Sequence, residues 1–269
     1  MFFKIKVGER MDKDKSEILR IIKEGLDECD YVLSARIYGS WLHGEAMEDV
    51  DVAVMIPSVN GGVVDEHVYR ELKNLRENLN VKLNRDVDLI PHTMDEIDDL
   101  RSTLWYPRYN PSLVSGRTVK GKFLIDESSK KGVSFGFEDL TAYILYDNRT
   151  ICRRQLLRTL EEEQGRIFVS KLLHGPGNAL TYYSCRNKVG YLCSPSDLVQ
   201  SFKIFDEIYN VDSEPAFKFL SSCKKEINFE KAVNLMSWYE NLLLIVLKGE
   251  ESSIRNYQQI CEKLRIKNG

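Results

Sequence analysis

The chain has 269 residues, enough to bury a sizeable core in one large or two modest domains. Its 43% hydrophobic and 29% charged residues are those of an ordinary soluble protein, and a net charge of −3 with a pI near 5.9 argues against a surface coated in basic charge for wrapping nucleic acid, though not against a local basic stripe. The longest apolar run, residues 242–247, is far too short to span a bilayer, so no membrane partner is expected.

The N-terminal MFFKIKVGERMDKDK has neither an extended apolar core nor a small-residue cleavage site, so no signal peptide is expected. Residues 13–28 place Ile18, Ile21, Ile22 and Leu26 on one stripe of a helix. YVLSARIYG (31–39) has strand composition and ends at the Gly39-Ser40 turn. DVDVAVMIP (49–57) alternates acid with apolar residues and halts at proline, the mark of a strand. Asn60-Gly61-Gly62 reads as a loop, 65–79 as a helix, and RDVDLIPH (85–92) as a second acid-alternating strand that again halts at a proline. MDEIDDLRSTL reads as a short helix. Trp105-Tyr106-Pro107 and Tyr109-Asn110-Pro111 read as an aromatic, proline-broken loop, either lining an acceptor pocket or simply packing. Turns at Gly116, Gly121 and Gly132 cut up the next stretch, and 126–131 is polar enough to be a linker.

From about residue 136 the pattern becomes helical, as in EDLTAYILYDNRTICRRQLLRTLEEE and KAVNLMSWYENLLLIVLK. Gly165, Gly175-Pro176-Gly177, Gly190, Pro195, Pro215 and Gly249 are expected mostly to separate helices. The fold expected is therefore an α+β N-terminal domain with a mixed sheet (1–130), followed by an all-α bundle (136–269). Six cysteines, Cys29, Cys152, Cys185, Cys193, Cys223 and Cys261, form no CxxC pair and have no histidine at zinc-ligand spacing. They read as reduced thiols of a cytoplasmic protein.

The chemistry lies in YGSWLHGEAMEDVDVAV (38–54). Residues i and i+2 of a strand share a face, so Asp49 and Asp51 project together while Val50 and Val52 turn into the core; Asp86 and Asp88 do the same on the later strand. If the strands are neighbours, three carboxylates converge within reach of divalent cations, and without cations they would repel strongly. Hard oxygen ligands and substrate phosphates are how magnesium is usually held. Gly39 lets backbone amides approach an anion, and the Ser40 hydroxyl can donate to a phosphate oxygen. The pattern points to metal-assisted transfer of a nucleotidyl group.

These residues resemble the DNA polymerase β-like nucleotidyltransferase superfamily, in its minimal nucleotidyltransferase branch. Gly39-Ser40, Gly44-Glu45 and Asp49-x-Asp51 match its spacing without a gap, VDLI (87–90) places the third carboxylate on Asp88, and LVSGRTVKGK resembles the segment that closes the catalytic domain. The resemblance covers roughly 15–125. It implies Mg²⁺ (or Mn²⁺ in its place) held by Asp49, Asp51 and Asp88 as the catalytic and metal-binding carboxylates, an NTP substrate bound through Gly39 and Ser40, and a helical domain that helps to bind substrate. His43 stands where the family commonly has arginine, and Glu48 where a small polar residue is usual; both could alter nucleotide contacts.

The remaining candidates keep two readings each. Asp86 reads as a solvated strand-start residue before a ligand, and Glu45, Glu48 and His43 as loop charges before phosphate or metal contacts. Arg149, Arg153, Arg154, Arg158, Arg166, Lys171, Arg186 and Lys188 form either a basic wall for triphosphate or an RNA backbone, or a solvated face balanced by Glu161, Glu162 and Glu163; Arg154 and Arg158 share a helical face at i, i+4. Lys171, just before HGPGNALTYYSCR, is the single cation chosen for a triphosphate. Tyr182, Tyr183 and Tyr191 stack on a base or fill the core. The base for the acceptor hydroxyl is Asp88, Glu138 or Asp139. Arg166 and His174, separated by seven residues, are too far apart for the arginine–histidine motif of HEPN ribonucleases. The acceptor stays open between RNA, protein and a small molecule. The competing reading is a non-catalytic NTP-binding or antitoxin-like partner module.

Overall fold

The stripe Ile18, Ile22 and Leu26 is buried along helix α1 (Phe3–Asp27), which starts earlier than the apolar periodicity predicts. A computed structural model of the chain describes residues 3–43, 49–59, 62–99, 102–105, 109–123, 125, 140–158, 162–186, 197–223 and 227–248. Strands β1 (Ser34–Tyr38), β2 (Asp49–Ile56), β3 (Asp86–Thr93) and β4 (Arg117–Lys120) form a four-stranded sheet in the order β3-β2-β1-β4. β1 is antiparallel to β2 and β4, and β2 is parallel to β3, so the sheet is mixed. Helix α2 (Glu66–Leu83) makes the crossover that a parallel pair requires. Asp65 caps its start, accepting from the His67 N–H at 2.8 Å, and Asn84 closes its end at φ 47°.

Alternation along β2 divides the sheet's faces. Val50, Val52 and Val54 join Ile37 and Leu89 in a core shared with α1 and α2, while Ala53 and Met55 pack with Tyr38, Ile90, Leu104 and Leu113 on the other side. Asp49 and Asp51 lie on the second of these faces, at the strand's N-terminal end.

β3 does not halt at its proline. It continues to Thr93, with Pro91 paired in register to Val54. β3 is an edge strand, where a residue lacking an N–H is tolerated. Helix α3 (Asp95–Asp98) follows, then a 3₁₀ turn at Thr103–Trp105 and helix α4 (Tyr109–Val114). Tyr109-Asn110-Pro111, expected as loop, opens α4, where Pro111 falls in the first turn and removes no helical bond. Tyr106, Pro107 and the expected linker 126–131 lie outside the described residues.

The rest is helical: α5 (Leu140–Leu156), α6 (Glu162–Arg186), α7 (Leu198–Tyr209), α8 (Glu214–Ser222) and α9 (Phe229–Lys248). Pro215 stands in the first turn of α8, but Gly165 and Gly175-Pro176-Gly177 lie inside α6 instead of separating helices. Packing explains Gly175. A Cβ there would stand 3.1 Å from Asn148 Nδ2 and 3.3 Å from the Tyr239 hydroxyl, so glycine lets α6 approach α5 and α9 closely, and this outweighs its poor helix propensity. Gly190, Pro195 and Gly249 lie outside the described residues. Cys29, Cys152 and Cys223 are free thiols, and among the described residues no helix is long and apolar enough to cross a membrane.

A buried polar network ties sheet to helices. Arg153 of α5, fully buried, donates from Nη1 to Glu96 Oε1 at 2.6 Å, from Nη2 to the Gly62 carbonyl at 2.9 Å, and from Nε to Glu240 Oε1 at 2.8 Å and the Tyr69 hydroxyl at 3.1 Å. Glu240 of α9 also accepts from Tyr69 at 2.6 Å and from the Val64 N–H at 2.8 Å. Glu96 of α3 accepts from the Thr93 N–H at 3.0 Å and lies 3.0 Å from His92 Nδ1. Arg149 Nη2 approaches Glu96 Oε1 at 2.8 Å as an ion pair without hydrogen-bond geometry, its guanidinium 4.5 Å from the Tyr146 ring centre.

Burial opposes ionisation of Glu96, but Arg149, His92 and Arg153 outweigh it and hold the carboxyl well below its usual range. The variant Glu96→Gln leaves two buried guanidiniums short of their shared anion and is expected to cost about 3–5 kcal/mol near neutral pH. A lowered carboxylate pKa stabilises the fold fully above the unfolded value of about 4.3, and that contribution fades as pH falls towards the folded value. Urea unfolding of the two proteins should therefore show a deficit that is constant near neutral pH and narrows below about pH 4.

Candidate functional site

β1 delivers the chain to a turn against the end of β2. Tyr38 pairs with Asp51 across the antiparallel ladder, so Gly39 comes next to the Asp51 side chain. Gly39 has φ +85°, and a Cβ added to it would stand 2.8 Å from Asp51 Oδ2. Only glycine meets both the backbone conformation and the contact. Ser40 then opens a 3₁₀ turn through His43, with the Leu42 N–H donating to the Gly39 carbonyl at 3.3 Å.

The parallel register sets Asp49 opposite Asp86 and Asp51 opposite Asp88. Oxygens of Asp49, Asp51 and Asp88 lie within 4.8 Å of one another. Asp86, although in register with Asp49, is drawn towards α2: it is ion-paired to Arg76 and accepts from Asn80 Nδ2 at 3.3 Å, with 43% of its side chain exposed. Asp88 by contrast is fully buried. Burial pushes the Asp51 carboxyl above its usual range; Arg154 works against this, Asp49 adds to it, and Arg158 opposes it again. Three acidic side chains this close, one of them desolvated enough to resist ionisation, form a donor set suited to a hard divalent cation.

Arg154 and Arg158, expected on a solvated face balanced by Glu161, Glu162 and Glu163, turn to the carboxylates instead; Glu161 and the side chain of Glu162 lie outside the described residues. Arg154, in the last turn of α5, pairs through Nη2 with Asp88 Oδ2. Arg158, in the turn that follows, donates from Nε to Asp88 Oδ1 at 3.0 Å, pairs with the same oxygen through Nη2, and reaches Asp86 Oδ2 at 3.6 Å. Their i, i+4 spacing was the available signal; what they face was not. Arg149 and Arg153 belong to the buried network, and Arg166 and His174 are exposed on α6.

Lys171 is placed on α6, where its charge is felt by Asp147 and Cys152 of α5; no hydrogen bond or ion pair joins it to the carboxylates. Tyr182, Tyr183 and Arg186 are on the same helix, their side chains outside the described residues, as is that of His43. Glu45, Glu48, Glu138, Asp139, Lys188 and Tyr191 also lie outside the described residues.

No protein-family model matches this chain, and no curated protein matches it significantly. Among solved structures, it is similar to spectinomycin adenyltransferase AAD(9) from Enterococcus faecialis, crystallised with ATP and spectinomycin. Identity is 10%, coverage is 87% of this chain and 98% of that one, and the TM-score is 0.27. A likeness that slight carries no argument about activity, which therefore rests on the geometry above.

The variant Gly39→Ala is expected to lose at least about 1–2 kcal/mol of stability from its left-handed backbone alone. Its methyl group must also displace the Asp51 carboxylate. Urea unfolding measures the first effect, and a weaker Mn²⁺ titration the second.

Proposed function

We propose that this chain is a cytoplasmic, divalent-metal-dependent nucleotidyltransferase of the DNA polymerase β-like superfamily, moving an NMP from an NTP to an acceptor hydroxyl. Residues 1–130 would form the catalytic part and 136–269 the helical part that helps to hold substrate. The observation that carries this reading is the convergence of Asp49, Asp51 and Asp88 on one side of a parallel strand pair, beside the Gly39 turn. The same residues fit Mg²⁺ or Mn²⁺, which when bound would neutralise the triphosphate and polarise the reacting oxygens.

The chain's own groups have separable tasks. Asp49 and Asp51, paired on one strand face, fix the position of the α-phosphoryl group through what they hold. The Gly39-Ser40 turn offers backbone N–H groups and a hydroxyl to the β- and γ-phosphates. In the transfer, the acceptor oxygen bonds to the α-phosphorus, the bond to the bridging oxygen of the β-phosphoryl group breaks, and pyrophosphate leaves. The acceptor proton passes to a carboxylate, Asp88 or an acid of the helical part such as Glu138 or Asp139. Catalysis on this plan is mostly positioning and charge neutralisation. RNA 3′ ends, protein side chains and small hydroxylated molecules all satisfy the acceptor chemistry.

The test uses α-³²P-labelled ATP, CTP, GTP and UTP with Mg²⁺ or Mn²⁺, each offered RNA, cell protein and a small-metabolite extract. Label should move into one fraction with wild type and fall by at least about a thousandfold in Asp49→Asn and Asp51→Asn, since each tenfold reflects about 1.4 kcal/mol of lost transition-state stabilisation. The melting temperature of Asp51→Asn should equal or exceed wild type, because burial already disfavours the Asp51 charge, and that of Asp49→Asn should stay close to it. Undiminished transfer in either variant would overturn the assignment. Metal-dependent NTP binding with no label moving would favour the non-catalytic partner module.

A further inference from the structure

Asp88 differs from the other two carboxylates in being already occupied. It is fully buried, and both of its oxygens are taken by guanidiniums delivered from α5 and the turn after it: Oδ2 by Arg154, Oδ1 by Arg158. The two arginines are not buried to the same degree; their side chains keep 35% and 21% of their exposure, so both have room to move outwards. Arg154 Nε is nonetheless buried without a hydrogen-bond partner, an unspent donor beside the cluster.

A divalent ion held by Asp49, Asp51 and Asp88 must use an oxygen of Asp88. Two guanidiniums and a metal ion cannot share that buried carboxylate without like-charge repulsion. The local charges sharpen the conflict. Four carboxylates, Asp49, Asp51, Asp86 and Asp88, face three guanidiniums, Arg76, Arg154 and Arg158, so the cluster is close to neutral before any ligand arrives. A divalent ion alone would carry the cluster past neutrality to a net positive charge and set the ion against two guanidiniums at Asp88, whereas a metal ion arriving with a triphosphate brings its own anions. Planar guanidinium forks suit phosphate oxygens as well as they suit carboxylates.

We propose that Arg154 and Arg158 are exchangeable partners of Asp88, holding its carboxylate until metal and nucleotide enter together and then turning to the triphosphate. The inference rests on the nucleotidyltransferase reading. It makes the arginines positioning residues that enforce joint binding of metal and nucleotide: metal alone binds poorly, and metal with nucleotide binds well.

The experiment measures Mn²⁺ binding from the electron paramagnetic resonance signal of the free ion, alone and with a non-hydrolysable ATP analogue. The wild type should bind Mn²⁺ about tenfold or more tightly with the analogue present, within the usual span of coupling between sites. In Arg154→Gln/Arg158→Gln, Mn²⁺ alone should bind about tenfold more tightly than in wild type, the analogue should bind more weakly, and the coupling should largely vanish. The pair Arg154→Lys/Arg158→Lys, which keeps Asp88 charge-paired, should move the same way by less and serves if the glutamine pair does not fold. Calorimetry in EDTA adds an opposite sign: Asp88→Asn frees both guanidiniums and should bind the metal-free analogue more tightly than wild type. Unchanged or weaker Mn²⁺ binding in the arginine variants, or no gain of metal-free binding in Asp88→Asn, would overturn the exchange while leaving the transfer reaction standing. A wild type that binds neither Mn²⁺ nor the analogue would overturn the reaction itself.

Discussion

Arg153 is cut off from water, and a buried guanidinium is tolerated only when it is both charge-paired and hydrogen-bonded. Its N–H groups are met by Glu96, Glu240, Tyr69 and the Gly62 carbonyl. Those partners come from α3 just after β3, from α9, from α2 and from the turn ahead of α2, so satisfying one residue fixes how α5 lies against the edge of the sheet. Arg154 is the next residue, and Arg158 follows in the turn after the helix. The placement that satisfies Arg153 thus brings two further cations to Asp88, and the carboxyl end of a helix is a favourable place for them. Moving α5 to relieve the site would expose the buried network, and moving it to improve the network would disturb the site.

The sheet contributes the other half of the geometry. Parallel pairing of β2 with β3 puts Asp51 beside Asp88, and antiparallel pairing with β1 puts Gly39 beside Asp51. A register slip of one residue in either pair would send a carboxylate to the opposite face, into an apolar core. The valines that alternate with the aspartates guard against that slip. Asp86 shows that register alone does not decide membership of the cluster: it sits opposite Asp49, yet Arg76 and Asn80 of α2 draw it away.

What was legible in the sequence was local. The period of two in DVDVAV and DVDL gives strands and a shared acidic face, the stripe Ile18, Ile22, Leu26 gives α1, and Gly-Ser before Asp49 gives the turn. The choice of Asp88 over Asp86 rests on resemblance; the pull of Arg76, which draws Asp86 from Asp49 and Asp51, is a tertiary fact. Misread features share one cause. Pro91 and Gly175 look like breaks when judged against neighbours in the chain; an edge position and a close helix crossing make them tolerable, and neither can be seen from those neighbours. Arg154 and Arg158 seemed to be balanced by the nearby Glu161–163 run, whereas their partner lies 66 and 70 residues away.

That distance also says what the helices do for the sheet. Strands β2 and β3 gather carboxylates with no lysine or arginine inside either strand, so their charge has to be met from elsewhere. α2 supplies Arg76 and the end of α5 supplies Arg154 and Arg158. Each of these cations is held by geometry imposed elsewhere: Arg76 by the crossover that makes the strands parallel, the other two by the buried network around Arg153. The acidic site is stable because the fold around it is already committed to supplying positive charge, and any ligand that binds there has to replace part of that supply with its own.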